Sequence, residues 1–302
     1  MRILITGSEG FVSQHLIREL EDAGHLVSGM DIVFGTYHDA YGADNVRSHI
    51  ESARADALIH LAANVDCASS ENDVLETVRD HVGMTAVVAQ VCGELGVRMV
   101  YASSDEIYGD SKKSVCHELN GPFLLPLSTY GLAKRCGEKM CRLHAPQGFT
   151  ALRFSTIYGP GLATERSALI RMLWQAKYNL PIPVHIGAER SWCWIGDAVR
   201  AIRLVVEKGE GPYNIGRDED GTSMVEVAQI ACALSGSDQG LIDLVEALPG
   251  ETLVKRLSVD RVRNIGWQPA VSLYDGMQMT LETWVRYADE DGSHAPVAAE
   301  AI

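Results

Sequence analysis

The chain opens with a short apolar stretch, a glycine-containing turn and an amphipathic segment. "RILIT" at 2–6 is rich in apolar and β-branched residues, which is typical of a buried strand. "GSEG" interrupts it, and "FVSQHLIRELEDAG" at 11–24 then has apolar residues at helical spacing. The apolar stretches at 25–31 and 55–63 predict two further strands. Strands that alternate with helices predict an α/β fold with a parallel sheet covered on both faces.

The turn after the first predicted strand has the composition of a phosphate-binding loop. Gly7 and Gly10 let the backbone approach a pyrophosphate, and the helix that follows offers free N–H groups and a positive dipole end. Asp31 ends the second strand, where a carboxylate can accept both hydroxyls of an adenosine ribose and repel a 2′-phosphate. The pattern predicts a dinucleotide site that prefers NAD to NADP. The alternative is that Asp31 is only a solvated acid at a strand end.

The overall charge and the cysteines limit the partners and the compartment. A net charge of −14 without any Lys/Arg-rich stretch argues against binding to nucleic acid or to an anionic membrane. The seven cysteines are scattered and form no CxxC pair, which is typical of thiols in a reducing cytoplasm. No apolar stretch approaches the roughly 18 residues of a membrane span. We therefore expect a cytoplasmic protein.

A tyrosine and a lysine are spaced for joint action on a predicted helix. "STYGLAKRCGEKM" at 128–140 follows a proline-rich loop, and the apolar segment 97–104 before that loop predicts a fourth strand. Tyr130 and Lys134 are four residues apart, so they project from one face of the helix. A nearby ammonium group lowers a phenol pKa from its usual value of about 10, which creates a usable base. The alternative is an exposed Tyr–Lys pair without a function.

These segments together resemble the extended short-chain dehydrogenase/reductase family, the NAD-dependent nucleotide-sugar epimerases and dehydratases. "TGSEGFVSQHL" resembles the family's TGGAGFIGSHL opening, "ALIHLAA" its segment after the third strand, and "YGLAK" its YxxxK. Ser13 replaces the third glycine, and His81 stands where the family usually has asparagine. The resemblance extends from residue 2 to about 288. It implies a Rossmann-type doubly wound parallel sheet with a smaller, sequence-interleaved substrate-binding lobe.

The resemblance also implies ligands and the residues that bind them. NAD would be the cofactor, a nucleotide sugar the substrate, and a homodimer the assembly. The implied cofactor-binding residues are Gly7, Gly10, Phe11, Val12, Asp31, Asp39, Leu61, Ala62, Ala63, Tyr130 and Lys134. The implied substrate-binding residues are Ser104, Thr156 and Arg190. Arg190 matches a family arginine that pairs with substrate phosphate, a role suited to a planar donor group, whereas Thr156 replaces the usual asparagine.

The family pattern predicts the division of the chain. Residues 1–155 would form the NAD-binding domain, to which a segment at about 190–216 returns. Residues 156–189 and 217–288 would form the substrate-binding lobe. Residues 289–302 lack an apolar periodicity and are predicted to be a flexible tail.

Two adjacent carboxyl groups divide this family by reaction. By similarity, Tyr130 would take a proton from a sugar hydroxyl, Lys134 would hold the nicotinamide ribose, and Ser104 would hydrogen-bond the reacting oxygen. "SSDEIYGD" at 103–110 resembles STDEVYGD of the 4,6-dehydratases, whereas the 4-epimerases resemble SSSAVYG. Removal of water needs one carboxylate and one carboxylic acid, held in different protonation states. The family assigns Glu106 as the base and Asp105 as the acid.

Other interpretations of the same residues stay open. Asp105 and Glu106 could simply cap or solvate a loop, and the short loop between Gly109 and Tyr130 resembles the epimerases more closely. A dissociable NAD(P)H-dependent ketone reductase and a non-catalytic dinucleotide sensor are further alternatives, since a fold does not fix a function. Asp31 argues against NADPH, and the complete Ser104, Tyr130 and Lys134 set argues against a sensor. We expect a lyase or an isomerase, with a lean towards 4,6-dehydration.

Overall fold

The computed structural model describes residues 1–31, 42–65, 67–111, 114–119, 124–162, 167–217, 221–247 and 252–291. The predicted cofactor contact Asp39 lies outside these residues. The strands are β1 (Arg2–Thr6), β2 (Leu26–Met30), β3 (Ala57–His60), β4 (Arg98–Ser104), β5 (Thr150–Phe154), β6 (Thr156–Tyr158), β7 (Ile182–His185), β8 (Glu189–Arg190), β9 (Trp192–Trp194), β10 (Gly211–Ile215), β11 (Thr222–Ser223) and β12 (Ile242–Val245).

The helices cover these strands and connect them. They are α1 (Phe11–Asp22), α2 (Ala43–Ala53), α3 (Cys67–Asn72), α4 (Val74–Val78), α5 (Met84–Leu95), α6 (Thr129–His144), α7 (Ala168–Lys177), α8 (Ile195–Lys208), α9 (Met224–Ser235), α10 (Asp260–Arg263) and α11 (Leu273–Asp291). A π-helical turn, Arg79–Gly83, joins α4 to α5, and a 3₁₀ turn, Asp105–Tyr108, follows β4.

Six strands form one sheet in the order β10-β5-β4-β3-β1-β2, and every neighbouring pair in it is parallel. β1 lies between β2 and β3, so the chain moves outward from β1 first in one direction and then in the other. The sequence-predicted α/β fold with a Rossmann-type doubly wound sheet is confirmed. In such sheets ligands bind at the carboxyl ends of the strands, where the strand order reverses.

The sheet is apolar on both faces because alternate side chains of a strand point in opposite directions. Ile3 and Ile5 of β1 belong to a core that includes Leu16 of α1 and Ile202 of α8. Leu4 belongs to the core on the opposite face, which α2 and α5 cover. The uninterrupted apolar residues "ILI" at 3–5 are therefore those of a strand buried on both sides.

A further apolar core lies apart from this sheet. It combines α7 and β7 with α9 and α11, through residues such as Leu173, Ile182, Val227 and Met277. The chain segments that build it flank α8 and β10, which belong to the large sheet and its covering helices. The predicted domain boundaries stay a prediction. α11 continues to Asp291, three residues into the predicted tail, and residues 292–302 lie outside the described part of the chain.

Within the described ranges, none of the helices combines the length and the apolar character needed to cross a membrane.

Candidate active site

A cavity of about 880 Å³ lies at the carboxyl ends of β1, β3, β4 and β5. Its walls come from the turn after β1, the segment after β3, the 3₁₀ turn after β4 and the first two turns of α6. The residues predicted from the sequence that line it are Gly7, Gly10, Phe11, Val12, Leu61, Ala63, Ser104, Asp105, Glu106, Tyr130, Lys134 and Thr156. The cavity thus brings the predicted cofactor loop and the predicted catalytic residues into one space.

The turn after β1 requires glycine at its first position. Gly7 has a φ of +72°, and its N–H donates to Met30 O at 2.8 Å. A Cβ at Gly7 would lie 2.8 Å from both the N and the Cα of Ala62. Ala62 therefore packs behind the turn, while its neighbours Leu61 and Ala63 line the cavity. This close approach explains why the backbone after β3 contributes to the same site.

The start of α1 leaves hydrogen-bond donors available towards the cavity. Gly10 is the N-cap residue, and no side chain caps the helix. Ser13 lines the cavity, and its buried Oγ has no hydrogen-bond partner among the described residues. Uncapped N–H groups at a helix N-terminus favour an anion, and a buried hydroxyl there can donate another hydrogen bond. These groups fit the diphosphate of a dinucleotide.

Asp31 follows β2 and lies next to the glycine turn. Its Oδ2 accepts a hydrogen bond of 2.7 Å from the backbone N–H of Glu9. Asp31 is not one of the residues that line the cavity. Its link to Glu9 places the carboxylate beside the loop that would hold the diphosphate, as the adenosine half of a dinucleotide requires. Its contact with a ribose stays a prediction.

Tyr130 and Lys134 are buried on the inner face of α6. Ser128 caps this helix by accepting a 3.0 Å hydrogen bond from Gly131 N. Tyr130 is 7% exposed and Lys134 is 2% exposed. Lys134 Nζ donates to Ala102 O at 2.9 Å and lies 5.7 Å from the centroid of the Tyr130 ring. The pair is therefore held against β4 and does not correspond to the exposed-face alternative.

His81 lies edge-on to the Tyr130 ring, with 5.3 Å between the ring centroids. Burial, together with the nearby Lys134 ammonium group, lowers the pKa of His81 to about 3. Burial likewise lowers the pKa of His60 to about 3, and its ring nitrogens contact Thr6 Oγ1 at 2.7 Å and Thr85 Oγ1 at 3.3 Å. Two neutral imidazoles therefore lie close to the Lys134 cation at neutral pH.

The 3₁₀ turn after β4 fixes the carboxyl pair. Ser104 is its N-cap residue, and Ser104 Oγ accepts a 3.2 Å hydrogen bond from Glu106 N. Lys255 Nζ donates to Glu106 Oε1 and lies 3.6 Å from Asp105 Oδ1. Thr252 Oγ1 donates to Glu106 Oε2 at 3.3 Å. Both oxygens of Glu106 therefore have donors, whereas Asp105 Oδ2 is buried without a partner among the described residues.

The two adjacent carboxyl groups have opposite pKa shifts. Burial raises the pKa of Asp105 above its ordinary value, and the attraction of Lys255 only partly opposes this rise. Burial also acts to raise the pKa of Glu106, but the adjoining Lys255 outweighs it, so that this pKa is lowered. Burial acts to lower the pKa of Lys255, yet the two carboxyl groups raise it overall. The two carboxyl groups therefore differ in their affinity for a proton, with Asp105 holding one more readily than Glu106 beside the same ammonium group.

Lys255 and Thr252 are site residues that the sequence did not indicate. They lie about 150 positions after the carboxyl pair, in a segment whose resemblance to the family assigned no role to any residue. Lys255 and Arg256 are adjacent basic residues in "TLVKRLSV", and nothing in that stretch marks either of them as part of a site. Only the folded chain shows that Lys255 reaches Glu106.

The two remaining predicted substrate contacts differ in their position. Thr156 begins β6 and lines the cavity. Arg190 lies on β8 and is not one of the lining residues; its Nη1 donates to Glu189 O at 2.9 Å and Leu253 O at 2.6 Å. The positive charge of Arg190 acts to lower the pKa of both Asp105 and Glu106. Its contact with a substrate phosphate stays a prediction.

The described residues contain no group of three or more side chains arranged to bind a metal ion.

Comparison with known proteins gives a family for this geometry. Residues 3–216 match the model of the NAD dependent epimerase/dehydratase family. The chain is 25% identical to a trifunctional UDP-glucose 4,6-dehydratase/UDP-4-keto-6-deoxy-D-glucose 3,5-epimerase/UDP-4-keto-L-rhamnose-reductase of Arabidopsis thaliana. That match covers 97% of this chain but only 49% of the relative, so the chain spans about half of its length.

Two further relatives are similar over nearly their whole length. An uncharacterized UDP-glucose epimerase of Bacillus subtilis is 27% identical, and the match covers 92% of this chain and 96% of the relative. The solved structure of MoeE5 in complex with UDP-glucose and NAD is 26% identical, with a TM-score of 0.84. That match covers 95% of this chain and 99% of MoeE5. The similarity therefore includes both the large sheet and the second apolar core.

Proposed function

Because the chain belongs to the NAD-dependent epimerase/dehydratase family, with NAD as its cofactor, we propose that it is a nucleotide-sugar 4,6-dehydratase. The observation that carries this proposal is the carboxyl pair. Asp105 and Glu106 line the same cavity as Tyr130 and Lys134, with pKa values shifted in opposite directions. Epimerisation at C4 needs no further acid or base, whereas removal of water needs one of each.

The first part of the reaction uses the buried tyrosine and lysine. Tyr130 takes the proton from the C4 hydroxyl of the sugar, and Ser104 hydrogen-bonds the same oxygen as it becomes a ketone. The Lys134 ammonium group, fixed by Ala102 O, favours the phenolate form of Tyr130. NAD, which the glycine turn at Gly7 and Gly10 and the Lys134 side chain would hold, would supply the hydride acceptor for C4 and the hydride donor for C6.

The second part uses the two carboxyl groups. A ketone at C4 makes the C5 proton acidic, and the Glu106 carboxylate takes this proton. Asp105 then donates its proton to the C6 hydroxyl, which leaves as water with the electrons of the C5–H bond forming a C5–C6 double bond. The proton on Glu106 exchanges with solvent, and Glu106 then protonates C5. Tyr130 releases its extra proton to solvent and Asp105 takes one up, which restores the starting forms. The net change is loss of one water and formation of a 4-keto-6-deoxy sugar.

The proposal is supported by the partners of each carboxyl group. Glu106 has donors on both oxygens and is kept ionised, so it has the form that accepts a proton. Asp105 Oδ2 is buried without a partner among the described residues, as expected of an acid group whose acceptor is a substrate oxygen.

Incubation with a panel of nucleotide sugars in heavy water, followed by NMR, tests the proposal. We expect a 4-keto-6-deoxy product with solvent deuterium at C5. Inversion at C4 without exchange would establish the 4-epimerase alternative in its place. Release of the cofactor during each turnover would establish the ketone reductase, and no turnover with retained binding of NAD would establish the sensor.

Two variants sharpen the same experiment. Glu106→Gln should abolish formation of the deoxy sugar, because an amide cannot accept the C5 proton. Glu94→Gln changes an exposed carboxylate on α5 and is the matched control, which should keep the activity of the parent. Dehydration by Glu106→Gln at the parent rate would contradict the assigned base.

We also propose that the expected homodimer forms through α4 and α6, which pack beside each other. Leu75 and Val78 of α4 are 80% and 46% exposed, and Leu132 of α6 is 53% exposed. Exposed aliphatic side chains grouped on neighbouring helices favour association. Sedimentation should show a dimer. Leu132→Glu should dissociate it, and Leu244→Glu, on β12, should not; a monomeric parent would overturn this assignment.

The cytoplasmic location also stays a prediction.

A further inference from the structure

Lys255 enters the cavity from a segment far from the predicted catalytic residues in the sequence. Its side chain is 9% exposed and lines the cavity. The ammonium group donates to Glu106 Oε1 and lies 3.6 Å from Asp105 Oδ1, so that it faces both carboxyl groups from one side. A charged side chain at this depth is costly unless it has partners, and here its partners are the two groups proposed to transfer protons.

The backbone on both sides of Lys255 is fixed by hydrogen bonds to other elements. Lys255 N donates to Glu189 O at 3.2 Å, and Glu189 N donates to Leu253 O at 2.9 Å. On the opposite side, Ser111 N donates to Val254 O at 2.9 Å, and Arg256 N donates to Ser111 Oγ at 2.8 Å. The segment is therefore held between β8 and the loop that follows the carboxyl pair. These backbone hydrogen bonds fix the position of the Lys255 Cα, so the side chain has to hold the ammonium group only over its own length.

Among the charged groups around the carboxyl pair, Lys255 is the one that contacts Glu106 and Asp105 unequally. Arg190 on β8 acts to lower the pKa of both carboxyl groups, so it does not distinguish them. The Cys116 thiol interacts electrostatically with Asp105, and Thr252 donates to Glu106. Lys255 also attracts both carboxyl groups, but unequally, because it hydrogen-bonds Glu106 Oε1 directly and lies 3.6 Å from Asp105 Oδ1. Two buried carboxyl groups with a single contacting ammonium group cannot both be stabilised as anions to the same degree.

We propose that Lys255 is the positioning residue that assigns the roles of the carboxyl pair, keeping Glu106 as the proton acceptor and leaving Asp105 to carry the proton. This inference rests on the proposed dehydration. Without the ammonium group the two carboxyl groups would compete for one proton, and either of them could hold it. The chemistry would then begin from a mixture in which only a part of the enzyme has the required base.

The pH dependence of kcat for dehydration tests this role, with Lys255→Met as the main variant. We expect kcat to fall at least tenfold, KM to change little, and the acid limb of the profile to move to higher pH. The limb moves upward because Glu106 loses the cation that stabilises its charge. Lys255→Arg should restore most of kcat and the position of the limb. Lys139→Met, on the exposed face of α6, is the matched control and should reproduce the parent profile.

A second measurement covers the case in which Lys255→Met does not fold. Carbon-13 NMR of protein labelled at its glutamate carboxyl groups, compared with Glu106→Gln, reports the titration of Glu106 in the parent enzyme without turnover. Titration below the range of free glutamate supports the proposal, and titration at or above that range overturns it. An unchanged acid limb in Lys255→Met also overturns it. A parent enzyme that forms no deoxy sugar refutes the proposed function, whereas a dehydrating parent with either adverse result refutes only the role of Lys255.

Discussion

Arg153 and Glu138 form a buried ion pair with two hydrogen bonds, Nε to Oε1 and Nη2 to Oε2, each 2.9 Å long. Arg153 lies on β5, and Glu138 lies on α6 one turn after Lys134. The same guanidinium group donates to Tyr108 Oη at 2.7 Å, at the end of the 3₁₀ turn that carries the carboxyl pair. One arginine therefore links the helix that carries Tyr130 and Lys134 to the turn that carries Asp105 and Glu106.

Removal of the negative charge from this pair should destabilise the whole site. Glu138→Gln leaves the buried Arg153 charge without its counter-ion, which typically costs about 3–5 kcal/mol. We expect a loss of this size in the free energy of unfolding measured by urea denaturation. Glu94→Gln breaks the exposed pair with Arg47 and should change the unfolding free energy little. Equal losses of unfolding free energy in the two variants would show that the buried ion pair contributes no more to stability than the exposed one.

The glycine turn offers a second comparison with a matched control. Gly7 and Gly24 both have positive φ values, +72° and +82°. A Cβ at Gly7 would lie 2.8 Å from backbone atoms of Ala62, whereas a Cβ at Gly24 would meet nothing within 4 Å. Gly24→Ala should therefore lower the free energy of unfolding only by the strain of a left-handed backbone conformation, about 1–2 kcal/mol. Gly7→Ala should cost clearly more and abolish NAD binding, measured by calorimetry; unchanged NAD affinity would contradict the location of the cofactor loop.

Asp31 should control the choice between NAD and NADP. Its carboxylate lies beside the glycine turn and accepts from Glu9 N, a contact that the amide oxygen of Asp31→Asn can keep. Loss of the charge weakens hydrogen bonds to ribose hydroxyls and removes repulsion of a 2′-phosphate. We expect the NAD affinity to fall about tenfold and the ratio of NADP to NAD affinity to rise. Asp44→Asn, in the first turn of α2, is the control for a change in net charge.

The parts of the fold that the sequence predicts are those encoded by local patterns. β1 to β4 lie where apolar stretches end at glycine or at polar residues, and α6 begins at Thr129 within the predicted segment. The cofactor loop is also predictable from the sequence. Its glycines and Asp31 lie in or next to β1, the turn after it and β2, so local patterns alone are enough to place them. The family and the NAD cofactor, both predicted from these motifs, are confirmed.

The parts that the sequence does not predict depend on contacts between distant segments. Lys255 and Glu106 are 149 positions apart, and no spacing connects them. The buried Arg153, in "TALRF", likewise looks like one charged residue in a strand until Glu138 and Tyr108 are brought to it. The π-helical turn at Arg79–Gly83, which carries His81, interrupts a helix without any proline or cap signal. Partners across the fold decide these features, and local propensity does not encode them.

His81 should make the stability of the protein sensitive to acid. Its side chain is 2% exposed, and its pKa is about 3 when folded, compared with an ordinary value of 6.5. The unfolded chain therefore binds a proton between these two values and the folded chain does not, so stability falls as the pH falls below about 6.5. One such histidine costs about 1.4 kcal/mol per pH unit in that range.

The His81→Asn substitution isolates this contribution, because asparagine is polar and of similar length but does not titrate. Urea denaturation between pH 7 and pH 5 should show a loss of stability that is smaller in the variant by about 1 kcal/mol per pH unit. His60 remains in the variant, so part of the acid sensitivity should persist. His144→Asn changes an exposed histidine at the end of α6 and should keep the full loss of the parent. If His81→Asn and the parent lose stability in parallel as the pH falls, the folded and unfolded chains protonate His81 over the same pH range, which would contradict the lowered pKa.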